Sequence, residues 1–218
     1  MNQKYITPSI LNVDKNKRLD MVNNLIDNGI KWIHYDVMDG NFVPNHAIEL
    51  EEIKNINENG KKHLKDAHLM ITNPFEEIPK YKDLVDFITF HYEAEDPKKI
   101  MSFLQKNQHD YSLGIAIKPD TKVEEIKDFL PYLRLVLVMS VEPGKGGQKF
   151  IPTAIDKIKK LKNIRSKYSY QYIIQVDGGI NNETCKDAWK AGADALVAGT
   201  YIVKEPTREN IETLLNKK

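Results

Sequence analysis

In the stretch HYDVMDG, His34 and Asp36 stand two positions apart at the end of an apolar run, and the same spacing relates His68 to Met70 and Gln175 to Asp177. Side chains two apart on a strand share a face, so each segment would present a pair to one side. Brought together, His34, Asp36, His68 and Asp177 would offer two imidazoles and two carboxylates, a donor set that suits one divalent ion, Zn²⁺, Fe²⁺, Mn²⁺ or Co²⁺. Each residue taken alone has an ordinary explanation as a satisfied strand-end histidine or an aspartate capping the next helix. Their placement at three separate strand ends argues for a shared site.

Three glycine-bearing loops form a second set. In VEPGKGGQKF, residues 141–150, Gly144, Gly146 and Gly147 flank Lys145 and leave backbone N–H groups free to turn around an anion. The loop matches neither a Walker sequence nor a full GxGxxG, and on its own it reads equally well as a surface loop. VDGGIN, with Gly178 and Gly179, has the letters of a hairpin turn, but the helix-like NNETCKDAWKAGA that follows speaks against one. VAGTYIV sets Gly199 and Thr200 where a last strand enters a last helix, a position at which barrel enzymes often hold phosphate. With only four arginines in the chain, a phosphate would rest on backbone amides, with or without a lysine, rather than on an arginine fork.

Met38, Met70 and Met139 sit in or just after strands, where filling the core is the default; around a metal pocket they would supply a dry, polarisable lining. His91 is another strand-end histidine and is not counted as a ligand. His46, His63 and His109 lie in polar segments and are expected in solvent. Cys185 falls in an amphipathic helix, where a buried thiol is expected rather than a nucleophile.

The elements that must position these residues are legible as alternation. Eight apolar runs, YITPSI, WIHYDV, DAHLMI, FITFHY, LGIAIK, LVLVMS, YIIQVD and ALVAGT, read as strands. Amphipathic stretches such as NKRLDMVNNLIDNG, PKKIMSFLQKNQ, KVEEIKDFLPYL, TAIDKIKKLKNIRSKY and NETCKDAWKAG lie between them as helices. The strands begin roughly 20 to 40 residues apart, enough for a parallel crossover each time. The pattern predicts an α/β fold, a single-domain (β/α)₈ TIM barrel over 1–218, with a doubly wound open sheet as the alternative.

The chain has 218 residues, 41% of them hydrophobic, and 32 basic against 31 acidic residues leave a net charge of +1. Nothing in that balance favours nucleic acid or an anionic membrane, and a small molecule is the expected ligand. No apolar run approaches the roughly 18 residues of a membrane span. A single cysteine and the opening MNQKYITPSIL, which lacks a secretory pattern, suggest a cytoplasmic protein.

Read together and in order, PSIL, WIHYDVMDGNFVPN, HLM, HYEAE, IKP, MSVEPGKGGQKF, VDGGIN and GADALVAGT resemble the ribulose-phosphate 3-epimerase family over nearly the whole chain. The resemblance implies a (β/α)₈ barrel, a homo-oligomer and a divalent-metal enzyme that interconverts D-ribulose 5-phosphate and D-xylulose 5-phosphate in the pentose phosphate pathway. It also implies roles: His34, Asp36, His68 and Asp177 as metal ligands, with Asp36 and Asp177 doubling as acid and base. Ser9, His68, Gly144, Lys145, Gly146, Gly147, Asp177, Gly178, Gly179, Gly199 and Thr200 would hold the substrate, and Met38, Met70 and Met139 would line the pocket. The loops after Asp39 and after Pro143 would be lids. Lys145 stands where the family usually has phenylalanine, Thr200 where serine is common, and VPNHAIEL lacks the threonine, phenylalanine, glycine and proline run usual there. A hexulose-phosphate epimerase, a metal-free isomerase and a non-catalytic sugar-phosphate sensor are the rival readings.

Overall fold

In the computed structural model, which describes residues 3–216, the eight expected strands form one curled parallel sheet. They are β1 (Tyr5–Ile6), β2 (Trp32–Asp39), β3 (Leu64–Met70), β4 (Phe87–His91), β5 (Leu113–Ile117), β6 (Leu135–Met139), β7 (Ile173–Asp177) and β8 (Ala195–Val197). From β2 to β8 each strand pairs in parallel with the next, and β8 pairs with β1. The ring closes where Ser9 bridges His34 and the His34 N–H donates to the Pro8 carbonyl at 3.0 Å. Closure settles the barrel against the open sheet. The short pair His46–Ala47 folds back antiparallel on Met38–Asp39, an addition to the eight strands.

Helices α1 (Arg18–Asp27), α2 (Leu50–Asn59), α3 (Pro74–Glu77), α4 (Pro97–Asn107), α5 (Ala154–Tyr168), α6 (Thr184–Ala191), α7 (Thr200–Lys204) and α8 (Arg208–Leu214) lie among the strands. Their apolar stripes face the sheet: Val22 and Leu25 of α1, Ile100 and Leu104 of α4, and Ile158 and Leu161 of α5 are all fully buried, at the three- and four-residue spacings of one helix face. The segment Val123–Tyr132 is a 3₁₀ helix rather than an α-helix. Its buried Val123, Ile126 and Phe129 recur at every third position, which a three-residue turn keeps in line, and Pro131 lacks the N–H that an α-turn would use.

The core divides by strand parity. Residues such as Ile33, Tyr35 and Val37 face the helices and join the large outer core. The alternate positions Trp32, Leu135, Leu137, Met139 and Ala195 fill the barrel interior. Its floor is aromatic: Trp32 meets Tyr5 edge-on at 5.6 Å between ring centroids and stacks on Phe87 at 5.0 Å. A third cluster, Met38, Val43 and Met70, sits at the opposite, carboxyl end of the strands. Cys185 is fully buried in α6, as expected.

Candidate metal and catalytic site

Parity and register converge on one point. In β2 and β3, Asp36 is the direct partner of His68 and His34 of Asp66, while Met139 at the end of β6 is the partner of Asp177 at the end of β7. Each of His34, Asp36, His68 and Asp177 offers a ligand atom, and these four atoms all lie within 4.8 Å of one another. Asp36 Oδ1 is 3.3 Å from His34 Nε2 and 3.2 Å from His68 Nδ1. Asp177 Oδ2, arriving from the other strand pair, is 3.7 Å from each of the same two nitrogens. Both histidines are completely buried.

The donor set fits a divalent ion. A metal about 2.1 Å from each ligand sets the ligand atoms about 3 to 4 Å apart, the spacing found for the carboxylate–imidazole pairs here. The surroundings of His34 support this fit. Its Nδ1–H donates to Asp66 Oδ2 at 2.6 Å, and the second Asp66 oxygen accepts the Trp32 indole N–H, also at 2.6 Å. Nε2 is thereby the nitrogen that faces Asp36 and Asp177, the carboxylate–histidine arrangement that orients a metal ligand.

The electrostatics are those of a place built for positive charge. Burial opposes a proton on His34, but the carboxylates of Asp66 and Asp36 outweigh it and raise its pKa well above the ordinary imidazole value. Burial likewise works against ionised Asp36, yet the charge and hydrogen bond of His34 outweigh it and hold its carboxyl below the usual range. Asp177 goes the other way, pushed up by burial and then by the charge of Asp36. For His68, burial dominates and lowers the pKa to about 4, against the bond that its protonated form would donate to Asp36. Two carboxylates within one cluster therefore differ in their hold on a proton, the condition under which one acts as acid and the other as base.

Asp36 and Asp177 open into a single cavity of about 700 Å³ at the carboxyl end of the barrel. Met38, Met70 and Met139 line it beside the carboxylates. Ser9, whose hydroxyl donates to Asp36 Oδ2, is on the wall. The far part is made of Gly144, Lys145, Gly146 and Gly147, of Gly178 and Gly179, and of Gly199 and Thr200, so the three glycine loops do share one space. A side chain at Gly179 would meet the Phe150 backbone nitrogen at 2.4 Å, and one at Gly178 would meet Val141 at 2.5 Å. Both residues have positive φ, +123° at Gly178 and +62° at Gly179, so this turn requires glycine twice.

These features bear on similarity. Residues 5–203 match the family described as Ribulose-phosphate 3 epimerase family. The chain belongs to this family. A ribulose-phosphate 3-epimerase from Mycobacterium bovis is 38% identical over 199 residues, covering 90% of this chain and 85% of that protein. One from Chlamydia muridarum is 38% identical over 214 residues, covering 96% and 92%. Among solved structures, a 3-keto-L-gulonate-6-phosphate decarboxylase from Vibrio cholerae superposes with a TM-score of 0.72 at 10% identity, covering 100% and 97% of the two chains. A 3-hexulose-6-phosphate synthase gives 0.68 at 16% identity, covering 100% and 99%. At those identities the structures speak for the barrel fold alone.

Several contributors to the site of this epimerase-family chain are not evident from the letters. Asp66 orients His34, and Asp39 accepts from the N–H groups of Asn41, Phe42 and Thr72, which fixes the root of the loop that follows it. Asn12 donates to the Thr200 hydroxyl at 3.0 Å and packs against Gly146. The loops after Asp39 and after Pro143 touch, since the Asn45 side-chain amide donates to the Gly144 carbonyl at 2.7 Å. Asp39 and Asn45 both fall in a run already marked by its aspartates; Asp66 carried no such mark. His91 is not among the clustered ligands, but it is buried and in contact with His68. His46 and His109 are exposed as expected. His63 is not: it is half-buried, with Nε2 2.8 Å from the Tyr35 hydroxyl and Nδ1 2.6 Å from the Lys61 carbonyl. Tyr35 points outward on β2 and reaches the loop before β3, so a polar segment covers an apolar strand.

Proposed function

We propose that the whole chain, 1–218, is one catalytic barrel that interconverts D-ribulose 5-phosphate and D-xylulose 5-phosphate by moving a proton at carbon 3. The observation that carries this is the meeting of Asp36 and Asp177, from opposite strand pairs, in one cavity beside two imidazole nitrogens. Inverting carbon 3 requires a proton to leave one face of the sugar and another to arrive on the other. Two carboxylates on opposite walls do this, one accepting while the other donates, with the roles exchanged in the reverse direction. Ser9 holds the Asp36 carboxylate in place through Oδ2.

His34, Asp36, His68 and Asp177 would hold the divalent ion, which when bound supplies Lewis-acid stabilisation of negative charge on the substrate oxygens. The three methionines exclude water without offering a competing proton donor. Gly146, Gly147, Gly178, Gly179, Gly199 and Thr200 would take the phosphate, with Gly144 and Lys145 in the loop that closes over it. The zinc, iron, manganese or cobalt identity of the ion, a cytoplasmic location and a homo-oligomeric state belong to the same reading, supported by the family.

The test is turnover and exchange in D₂O. Ribulose 5-phosphate should acquire deuterium at carbon 3 as xylulose 5-phosphate forms, and Asp177→Asn should lose both while its circular dichroism is unchanged. Wild-type enzyme that binds the sugar phosphate without exchanging carbon 3 would overturn the assignment, as would near-normal turnover in Asp177→Asn.

A further inference from the structure

Behind His68 runs a chain of hydrogen bonds that the proton-transfer chemistry does not use. His68 Nδ1 faces Asp36 and Asp177, at 3.2 and 3.7 Å. Its other nitrogen, Nε2, is 2.9 Å from His91 Nε2. His91 Nδ1 in turn is 3.0 Å from Glu93 Oε2. The remaining oxygen, Oε1, accepts the Lys118 backbone N–H at 2.8 Å and the Thr121 hydroxyl. His68 and His91 are fully buried, and Phe42 of the loop after Asp39 covers the His91 ring at 4.8 Å between centroids.

Two nitrogens 2.9 Å apart need one proton between them, and the far end of the chain decides whose it is. A carboxylate only accepts, so Glu93 requires the His91 proton on Nδ1. A neutral His91 then has a bare Nε2, which accepts, so the His68 proton must lie on Nε2. At 2.9 and 3.0 Å these two bonds are shorter than the 3.2 Å between His68 Nδ1 and Asp36 Oδ1, so Nδ1 is the nitrogen left without the proton, its lone pair directed at the carboxylates. His34 receives the equivalent service from Asp66 in a single step.

We infer that Glu93 and His91 are positioning residues that fix the tautomer of His68 and so present its Nδ1 as a ligand atom, an inference that rests on the metal site proposed above. Three substitutions separate this role from packing. Glu93→Gln keeps the shape but reverses the chain. Its oxygen is claimed by Lys118 N–H and Thr121, its NH₂ faces His91 Nδ1, and each proton steps along until one caps His68 Nδ1. His91→Phe fills the same space and gives His68 Nε2–H nothing to donate to. His91→Gln restores an acceptor near the Nε2 position.

The experiment is Co²⁺ binding to metal-free protein by chelator competition, with imidazole ¹⁵N shifts of His68 read in the metal-free wild type. Expected are a 10- to 100-fold weakening for Glu93→Gln and for His91→Phe, the range for loss of a partner behind a metal ligand, and recovery of most of that loss in His91→Gln. A purely structural role predicts the opposite order for the two His91 variants, because phenylalanine packs the apolar surroundings better than glutamine. Wild-type affinity in His91→Phe, or a His68 proton on Nδ1 in the wild type, would overturn the inference. Should the wild type bind no Co²⁺ at all, the metal site itself fails, and the ¹⁵N shifts still decide where the His68 proton resides.

Discussion

Replacing Asp66 by asparagine tests how the site is held together. The carboxylate is fully buried and accepts two hydrogen bonds of 2.6 Å, one per oxygen, from the Trp32 indole and from His34 Nδ1. Asparagine has the same outline but one acceptor and one NH₂. If its oxygen serves Trp32, which can only donate, the NH₂ confronts His34 Nδ1 and drives the ring proton to Nε2, among the ligand atoms. If its oxygen serves His34, the Trp32 N–H points at another donor. Either outcome forfeits a hydrogen bond to a charged acceptor, worth about 1.5–3 kcal/mol, and leaves a buried group unsatisfied. The loss of ion pairing with His34 adds to this, and removing one partner of a buried pair costs about 3–5 kcal/mol; because the amide retains one bond, a net loss of about 2–4 kcal/mol is expected. With a urea slope of roughly 2–3 kcal/mol/M, the unfolding midpoint should fall by about 1 M. The same variant should lose about tenfold or more in kcat/KM, as for other partners behind metal ligands. A midpoint within about 0.2 M of wild type, outside the range derived from those two bonds, would refute the energetic reasoning. Unaltered turnover at lowered stability would refute the orienting role of Asp66.

Three other outcomes follow from the geometry. Gly179→Ala should raise KM for the sugar phosphate about tenfold and cost about 1–3 kcal/mol in unfolding free energy, since its Cβ would strike the Phe150 backbone. Gly29→Ala, also at positive φ but with nothing within 4 Å of the added carbon, should cost stability and leave KM unchanged; equal KM effects in the two variants would remove the contact argument. Asn45→Ala severs the bond between the loops after Asp39 and after Pro143 and should raise KM several-fold with a smaller change in kcat, measured under steady-state conditions. Glu93 predicts an acid dependence. Burial opposes its ionisation, but bonds from His91, Thr121 and Lys118 lower its pKa from 4.5 to about 2. A carboxylate depressed by folding stabilises above the unfolded pKa, and that stability is lost as pH falls from about 4.5 through about 2, by up to roughly 3 kcal/mol. Urea titrations from pH 6 to pH 2 should show a shallower acid loss in Glu93→Gln than in wild type; identical slopes would refute it.

The barrel was legible in the sequence because buried parallel strands leave nearly continuous apolar runs, as in Leu113–Ile117 and Leu135–Met139, where every residue is buried. The four clustered residues His34, Asp36, His68 and Asp177 were legible for a related reason: polar side chains at alternate positions at the end of such runs have no packing role. Asp66 escaped notice because its meaning comes from register, as the residue directly across from His34 on the next strand, and one strand's letters do not state its neighbour's alignment. Glu93 sits two residues past a strand end, where glutamate is commonplace, and only the approach of Lys118 and Thr121 from the following loop makes it distinctive. The 3₁₀ segment Val123–Tyr132 was read as an α-helix because both forms bury residues three apart. His63 was assigned to solvent from its lysine neighbours, which carry no information about the Tyr35 hydroxyl reaching it from β2.

The aromatic floor of Tyr5, Trp32 and Phe87 makes the barrel a cup with a single mouth. His34 and His68 lie beneath the carboxylates, sealed off from solvent, so a divalent ion held as proposed would be seated before a sugar entering above it and would depart only after that sugar had gone. Loading would thereby be ordered by architecture, and a saturating sugar phosphate would act as a stopper that slows a chelator in stripping the ion.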